Sequence, residues 1–179
     1  SDERTVFTVG SQGVEYALIA QWRARGMLHA QHTAPALSAV KQIFAVSGSC
    51  ALTTADQIAV AKAKGFQILD LDASTAVDQR QLAAEMAFVR AECLSLMSQG
   101  HDVLVTTARG PDDPMVARVA EAITTSRAKS SDVNARLGTA LGQLVSDIRR
   151  KTQMQRMAIS GGDTSGHALT QLGANALSA

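Results

Sequence analysis

Two cysteines, Cys50 and Cys93, are all that the 179-residue chain contains, and neither stands at the spacing of a metal site or a disulfide framework. Such usage fits a reducing, cytoplasmic setting. Long apolar runs are missing as well: no stretch of about 18 apolar residues occurs, and Ser1 to Arg4 are polar or charged, so neither a membrane span nor a signal peptide is expected. Charge of one sign is absent, because 17 basic and 16 acidic residues are mixed along the chain for a formal net charge of +1. That balance offers no broad field to a polyanion, and nucleic acid is not an expected partner. Aromatic residues are few, with one Trp, one Tyr and four Phe. The core must therefore be built from Ala, Leu, Ile and Val, as buried parallel sheets and the helices covering them often are.

What is present is enough apolar material, 46% of the residues, to bury one real core, with a second only if small. Short β-branched runs alternate with helical patterns. Thr5 to Val9 reads as a strand, Gly10-Ser11-Gln12-Gly13 as a turn and Val14 to Arg25 as a helix. The segment Gly26 to Ser38 has no clean periodicity and reads as a connection or domain boundary. Gln42 to Val46 is a second strand that enters Ser47-Gly48-Ser49-Cys50, after which Thr53 or Thr54 is placed to cap a helix over Ala55 to Lys64. Phe66 to Leu71 follows as a strand, Asp78 to Ser98 as a helix, and Asp102 to Thr107 as a strand. Helices are expected near Met115 to Ser126 and Asp132 to Lys151, a strand over Gln155 to Ile159, and a final helix beginning near Ser165. This alternation predicts an α/β fold: a mostly parallel sheet with helices on both faces, a three-layer α/β/α arrangement. Ligands of such sheets bind beyond the carboxyl ends of the strands, and the glycine turns at Gly10, Gly48 and Gly161 all follow expected strands.

The loop Ser160-Gly161-Gly162-Asp163-Thr164 suits a phosphate. Glycines reach positive φ, so successive backbone N–H groups can turn toward one anion, and the helix that follows adds unpaired donors and its dipole. Asp163 is the odd member, since a carboxylate repels phosphate. It makes sense if it accepts the proton of an attacking hydroxyl or helps hold a magnesium ion, and either role belongs to phosphoryl transfer. The simpler reading is that Asp163 or Thr164 is an ordinary helix cap after a glycine turn.

Three segments together resemble the C-terminal part of the four-carbon acid sugar kinases. Val46 to Ile58 is similar to that family's Gly-Ser-Cys-Ser segment, with Ala51 in place of the second serine. Ile159 to Leu169 resembles its Gly-Gly-Asp-Thr-Ser-Gly motif, and Thr5 to Trp22 its last strand and helix before the nucleotide domain. The resemblance implies an enzyme that phosphorylates a four-carbon sugar acid (threonate, erythronate or a 3-oxo relative) with ATP and Mg2+. It divides the chain into residues 1–38, the end of the substrate domain or a connecting segment, and residues 39–179, a nucleotide-binding domain truncated at its C-terminus. The family's N-terminal substrate domain becomes the expected partner, dimerisation a family expectation, and the isolated chain is expected to be inactive. Ser49, Gly161, Gly162, Asp163 and Thr164 carry over as nucleotide-binding positions and Asp163 as the catalytic candidate. Ala51 removes one hydroxyl, so the contact that other members make there is either lost or supplied by Ser47. A non-catalytic nucleotide-binding or regulatory module is the alternative; a Rossmann dinucleotide domain is disfavoured because no Gly-x-Gly-x-x-Gly with a following acidic residue occurs.

Other residues read more plainly. His29 and His32 lack carboxylate or cysteine partners at ligand spacing, and His101 and His167 stand alone, so no metal ligand set is assigned. Arg149-Arg150-Lys151 fits a helix C-terminus, Asp70 and Asp72 a strand end where aspartates cap or turn the chain, and Arg109 to Asp113 a lid or a tight loop. Cys50 is expected to be buried and structural.

Overall fold

The computed structural model describes residues 9–10, 12–28 and 38–174. The chain divides after Leu37 into two compact units. The first contains helix α1, Gln12–Ala24. It ends in a Schellman motif, with Gly26 N–H donating to Arg23 O and Met27 N–H to Trp22 O. Apart from Val9, the expected strand over residues 5–9 lies outside the described residues, as do His29 and His32.

The second unit runs β1 (Phe44–Ser47), α2 (Leu52–Ala63), β2 (Gln67–Asp70), a 3-10 turn (Ala73–Val77), α3 (Gln79–Ser98) and β3 (Val103–Thr106). It continues with α4 (Pro114–Ser126), α5 (Ser130–Thr152), β4 (Met157–Ser160) and α6 (Gly162–Gln171). The four strands form one all-parallel sheet in the order β2-β3-β1-β4. Ser47 is in register with both Thr106 and Ser160, and Asp70 with Thr106. All four strands therefore end at one level, and the loops that follow them share one edge of the sheet.

Alternation along the strands sorts the core onto two faces. Phe44, Val46, Val103 and Val105 pack with Val89, Cys93 and Met97 of α3 and with Leu141, Leu144, Val145 and Ile148 of α5. Ala45 and Leu104, one residue out of phase, meet Ile58 of α2. Helices thus cover both faces, the expected α/β/α arrangement. The stripe Leu82, Val89, Cys93 and Met97 gives α3 its buried side, while Asp78 caps it by accepting from the amides of Arg80 and Gln81.

Two helix starts differ from expectation. Helix α2 begins at Leu52, and neither Thr53 nor Thr54 caps it: Ala51 holds the N-cap position without a side-chain bond. Thr54 is instead buried and hydrogen-bonded to the Ser49 hydroxyl at 3.0 Å. Helix α6 begins at Gly162 rather than near Ser165. Gly161 alone makes the turn, at φ 120°, and Ser165 N–H closes the first helical bond onto its carbonyl. The Gly162-Asp163-Thr164 stretch is thereby a first helical turn and not a loop.

Candidate functional site

A cleft of about 600 Å3 opens at the carboxyl edge of the sheet, lying wholly within the second unit. Its floor is two glycine turns, Gly48 to Ala51 after β1 and Gly161 to Thr164 after β4. They are locked together: Gly48 N–H donates to Ser160 O at 3.0 Å, and Thr164, buried against the sheet, presses on Gly48 so closely that a Cβ there would lie 2.0 Å from Thr164 Oγ1. Four of the five predicted positions, Gly161, Gly162, Asp163 and Thr164, therefore come from one turn, and Ser49 joins them from the neighbouring strand end.

The α6 turn leaves its first amide donors open at the cleft. Helix geometry leaves its first amides without intrahelical acceptors, and no side chain caps them. Among the described residues the N–H groups of Gly162, Asp163 and Thr164 have no hydrogen-bond partner, since the first backbone bond of α6 is made by Ser165. The start of α2 borders the same cleft, so two helix dipoles present their positive ends to it. A Cβ on Gly162 would meet nothing within 4 Å, which places open space directly over this turn.

Ser49 lines the cleft while its hydroxyl is engaged within its own turn. Its hydroxyl accepts from Ala51 N–H at 3.3 Å and shares a hydrogen bond with Thr54, so it fixes the β1–α2 turn from inside. Ser47 is buried and its oxygen accepts from Ser49 N–H; it does not line the cleft, and the hydroxyl absent at Ala51 is not replaced from there. Cys50 is exposed in the cleft, contrary to the expected buried role, because the turn carries it away from the sheet before α2 begins. Cys93 is the buried thiol, and burial pushes it up to about 12.

The opposite wall was not legible as part of a site. Met115, Val116 and Val119 of α4, Leu137 of α5 and Ala73 of the 3-10 turn give an apolar surface, and Asn134 and Gly138 of α5 complete it. The available signal was the pair Gly138 and Gly142, four apart inside a helical pattern where glycine costs roughly 1 kcal/mol relative to alanine. Their function is close approach. A Cβ on Gly138 would lie 2.5 Å from His167 Cδ2, and one on Gly142 would lie 2.8 Å from Ala168 Cα.

The strand-end charges at Asp70 and Asp72 serve the scaffold. Asp70 takes both ends of the Arg109 guanidinium, at 2.7 and 2.6 Å. Asp72 pairs with Arg118 at 2.7 Å and caps the 3-10 turn through Ser74. Burial acts to raise Asp72, but the Ser74 hydroxyl and amide with the Arg118 charge outweigh it and hold the carboxyl below its ordinary range. The Arg109 to Asp113 segment is a tight loop: Asp113 accepts from Arg109 N–H and caps α4 through Met115 N–H, which lower its pKa. Arg150 at the end of α5 pairs with Asp147. Among the described residues no group of three or more His, Cys, Asp or Glu is placed to hold a metal, and no helix is long and apolar enough to cross a membrane.

Residues 44–179 match the family described as the nucleotide-binding C-terminal domain. Over 173 residues the chain is 38% identical to a Paraburkholderia graminis protein named 3-oxo-isoapionate kinase, an alignment covering 97% of this chain and 37% of that protein. The chain thus spans little more than a third of the curated relative it matches. With the glycine turns and their unpartnered amides at the sheet edge, the match settles kinship: the chain belongs to the nucleotide-binding C-terminal domain family, in keeping with its resemblance to the C-terminal part of the four-carbon acid sugar kinases.

Proposed function

We propose that the cleft binds ATP and that the protein transfers its terminal phosphoryl group to a hydroxyl of a four-carbon sugar acid of the threonate, erythronate or 3-oxo-tetronate type. The observation that carries this reading is the uncapped first turn of α6, whose amides at Gly162, Asp163 and Thr164 face the cleft without partners. Anionic oxygens satisfy those donors, and the position and the chemistry agree with a nucleotide's phosphates. The apolar wall of Met115, Val116 and Val119 then suits the base. Ser49 supports the nucleotide indirectly, by holding the turn whose amides border the phosphates.

In the transfer, the acceptor hydroxyl oxygen bonds to the γ-phosphorus, the bond from that phosphorus to the β–γ bridging oxygen breaks, and ADP leaves. Catalysis is positioning and charge neutralisation. Asp163, exposed at the mouth of the turn, has two uses there: to take the acceptor's proton, or to hold the Mg2+ that accompanies ATP. The name of the relative supports an acceptor of the acid-sugar class. On this reading residues 39–179 are the nucleotide-binding domain, residues 1–38 the end of the acceptor domain or its connector, and an N-terminal substrate domain completes the site.

Calorimetric titration with ATP and Mg2+ tests the proposal through Gly162→Val. The added side chain enters open space, so folding survives while the phosphate position is filled. Loss of binding in a variant with an unchanged unfolding midpoint is expected; a valine variant that titrates like the parent removes the α6 turn as the phosphate site.

A further inference from the structure

Asp163 is the only charged side chain lining the cleft among the described residues. No lysine or arginine faces it there: Arg109 and Arg118 are held on a neighbouring surface by Asp70 and Asp72. A triphosphate placed beside Asp163 therefore meets backbone dipoles and a carboxylate, and a cation is required to offset the accumulated negative charge.

The packing of α5 on α6 brings one more polar side chain to the cleft that Asp163 lines. Gly138 meets His167, and four residues later Gly142 meets Ala168 and Gln171, so the two helices run side by side in the same direction. Asn134 lies one turn before Gly138 on α5 and Asp163 one turn before His167 on α6. Both residues line the cleft, both are exposed, and among the described residues neither side chain makes a hydrogen bond. This exposed amide shares the cleft with its single carboxylate, and among the described residues it makes no hydrogen bond that holds the scaffold.

We infer that Asn134, through its amide oxygen, acts with Asp163 as the protein side of a divalent-cation site for the nucleotide's metal, an assignment that rests on the proposed ATP site. The donor set fits. Mg2+ prefers hard oxygen ligands, keeps several waters, and is usually held by one or two protein oxygens together with phosphates. One carboxylate and one neutral carbonyl supply that and leave the remaining positions to phosphate and water. Asn134 is then a positioning residue that fixes the metal-bound phosphates relative to the α6 amides.

The test compares ATP affinity in Mg2+ with ATP affinity in EDTA for the parent, Asn134→Ala and Asp163→Asn, and adds Mn2+ binding without nucleotide, followed by electron paramagnetic resonance, for Asn134→Asp. Removal of a metal-site partner costs at least about tenfold in affinity. Asn134→Ala and Asp163→Asn are expected to lose that factor in Mg2+ while Asn134→Ala binds ATP in EDTA as the parent does, with an unfolding midpoint no lower than the parent's. Asn134→Asp, which adds a second carboxylate to the cleft, is expected to tighten Mn2+. Equal weakening of Asn134→Ala in both conditions assigns the amide to the nucleotide itself and overturns the inference, as does no change in either. A parent that binds no ATP under either condition overturns the nucleotide site, and this inference with it.

Discussion

Gly48 and Thr164 touch across the gap between β1 and α6 so tightly that a single added carbon at Gly48 would sit 2.0 Å from the threonine hydroxyl and 3.1 Å from its Cβ. The two glycine turns of the cleft are thus one packed unit, and the missing side chain at Gly48 is what lets the start of α6 reach the level of β1. Gly48→Ala is expected to destabilise the protein by about 1–3 kcal/mol, the usual cost of overpacking. Under the proposed function it also weakens ATP binding. Thr164→Ala in the same chain removes the hydroxyl and should return part of the stability, read as the unfolding midpoint of the single and double variants.

Helix α6 rests on α5 through Gly142 and Gly138. Gly142→Ala drives a methyl group to 2.8 Å from the Ala168 backbone, which cannot rotate away. A loss of about 1–3 kcal/mol is expected. Gly166→Ala, also on α6 but facing nothing within 4 Å, should instead stabilise by up to about 1 kcal/mol through helix propensity. Opposite shifts in melting temperature check the pair.

Acid should weaken the second unit through its capping and paired carboxylates. The amides of Gln81 and Arg80 hold Asp78 below the ordinary value of 3.8, and those of Met115 and Arg109 do the same for Asp113. Burial raises Asp147, but Arg150 and Arg90 outweigh it and lower it overall. A carboxyl whose folded pKa lies below its unfolded one stabilises fully above the unfolded value. That contribution is constant above pH 3.8 and is lost as pH falls through the lowered values. Asp113→Asn should lower the midpoint at neutral pH, by about 1 kcal/mol at most for a substitute that still caps, and should flatten the decline below pH 3.8.

The two thiols should behave differently. Cys93 is buried and pushed up to about 12, whereas Cys50 is exposed in the cleft. Mass spectrometry after thiol labelling of the folded protein should show modification at Cys50 alone. Under the proposed function, ATP with Mg2+ slows that labelling.

Much of the second unit was legible because its elements are locally consistent. Every expected strand in it is present within a few residues, since β-branched runs bounded by glycines and strand-end aspartates admit few other folds. Asp78 and Gly100 set the ends of α3 as their chemistry dictates. The misplaced helix starts have a shared cause. At α2 and α6 the residues that look like caps, Thr54 and Thr164, are buried, and tertiary contacts with Ser49 and Gly48 take them out of the capping role. The floor of the cleft could be read because it lies in contiguous glycine turns. The wall could not: Asn134, Leu137 and Val119 are ordinary helical residues, and only the α5–α6 register and the placing of α4 over the 3-10 turn bring them to the site.

The most direct measurement is a crystal structure of the protein with Mg2+ and the β,γ-imido analogue of ATP. Phosphate oxygens are expected within hydrogen-bond distance of the amides of Gly162, Asp163 and Thr164, with the base against Met115, Val116 and Val119. Phosphates bound instead at Arg109 and Arg118, with the first turn of α6 left to water, would contradict the proposed site.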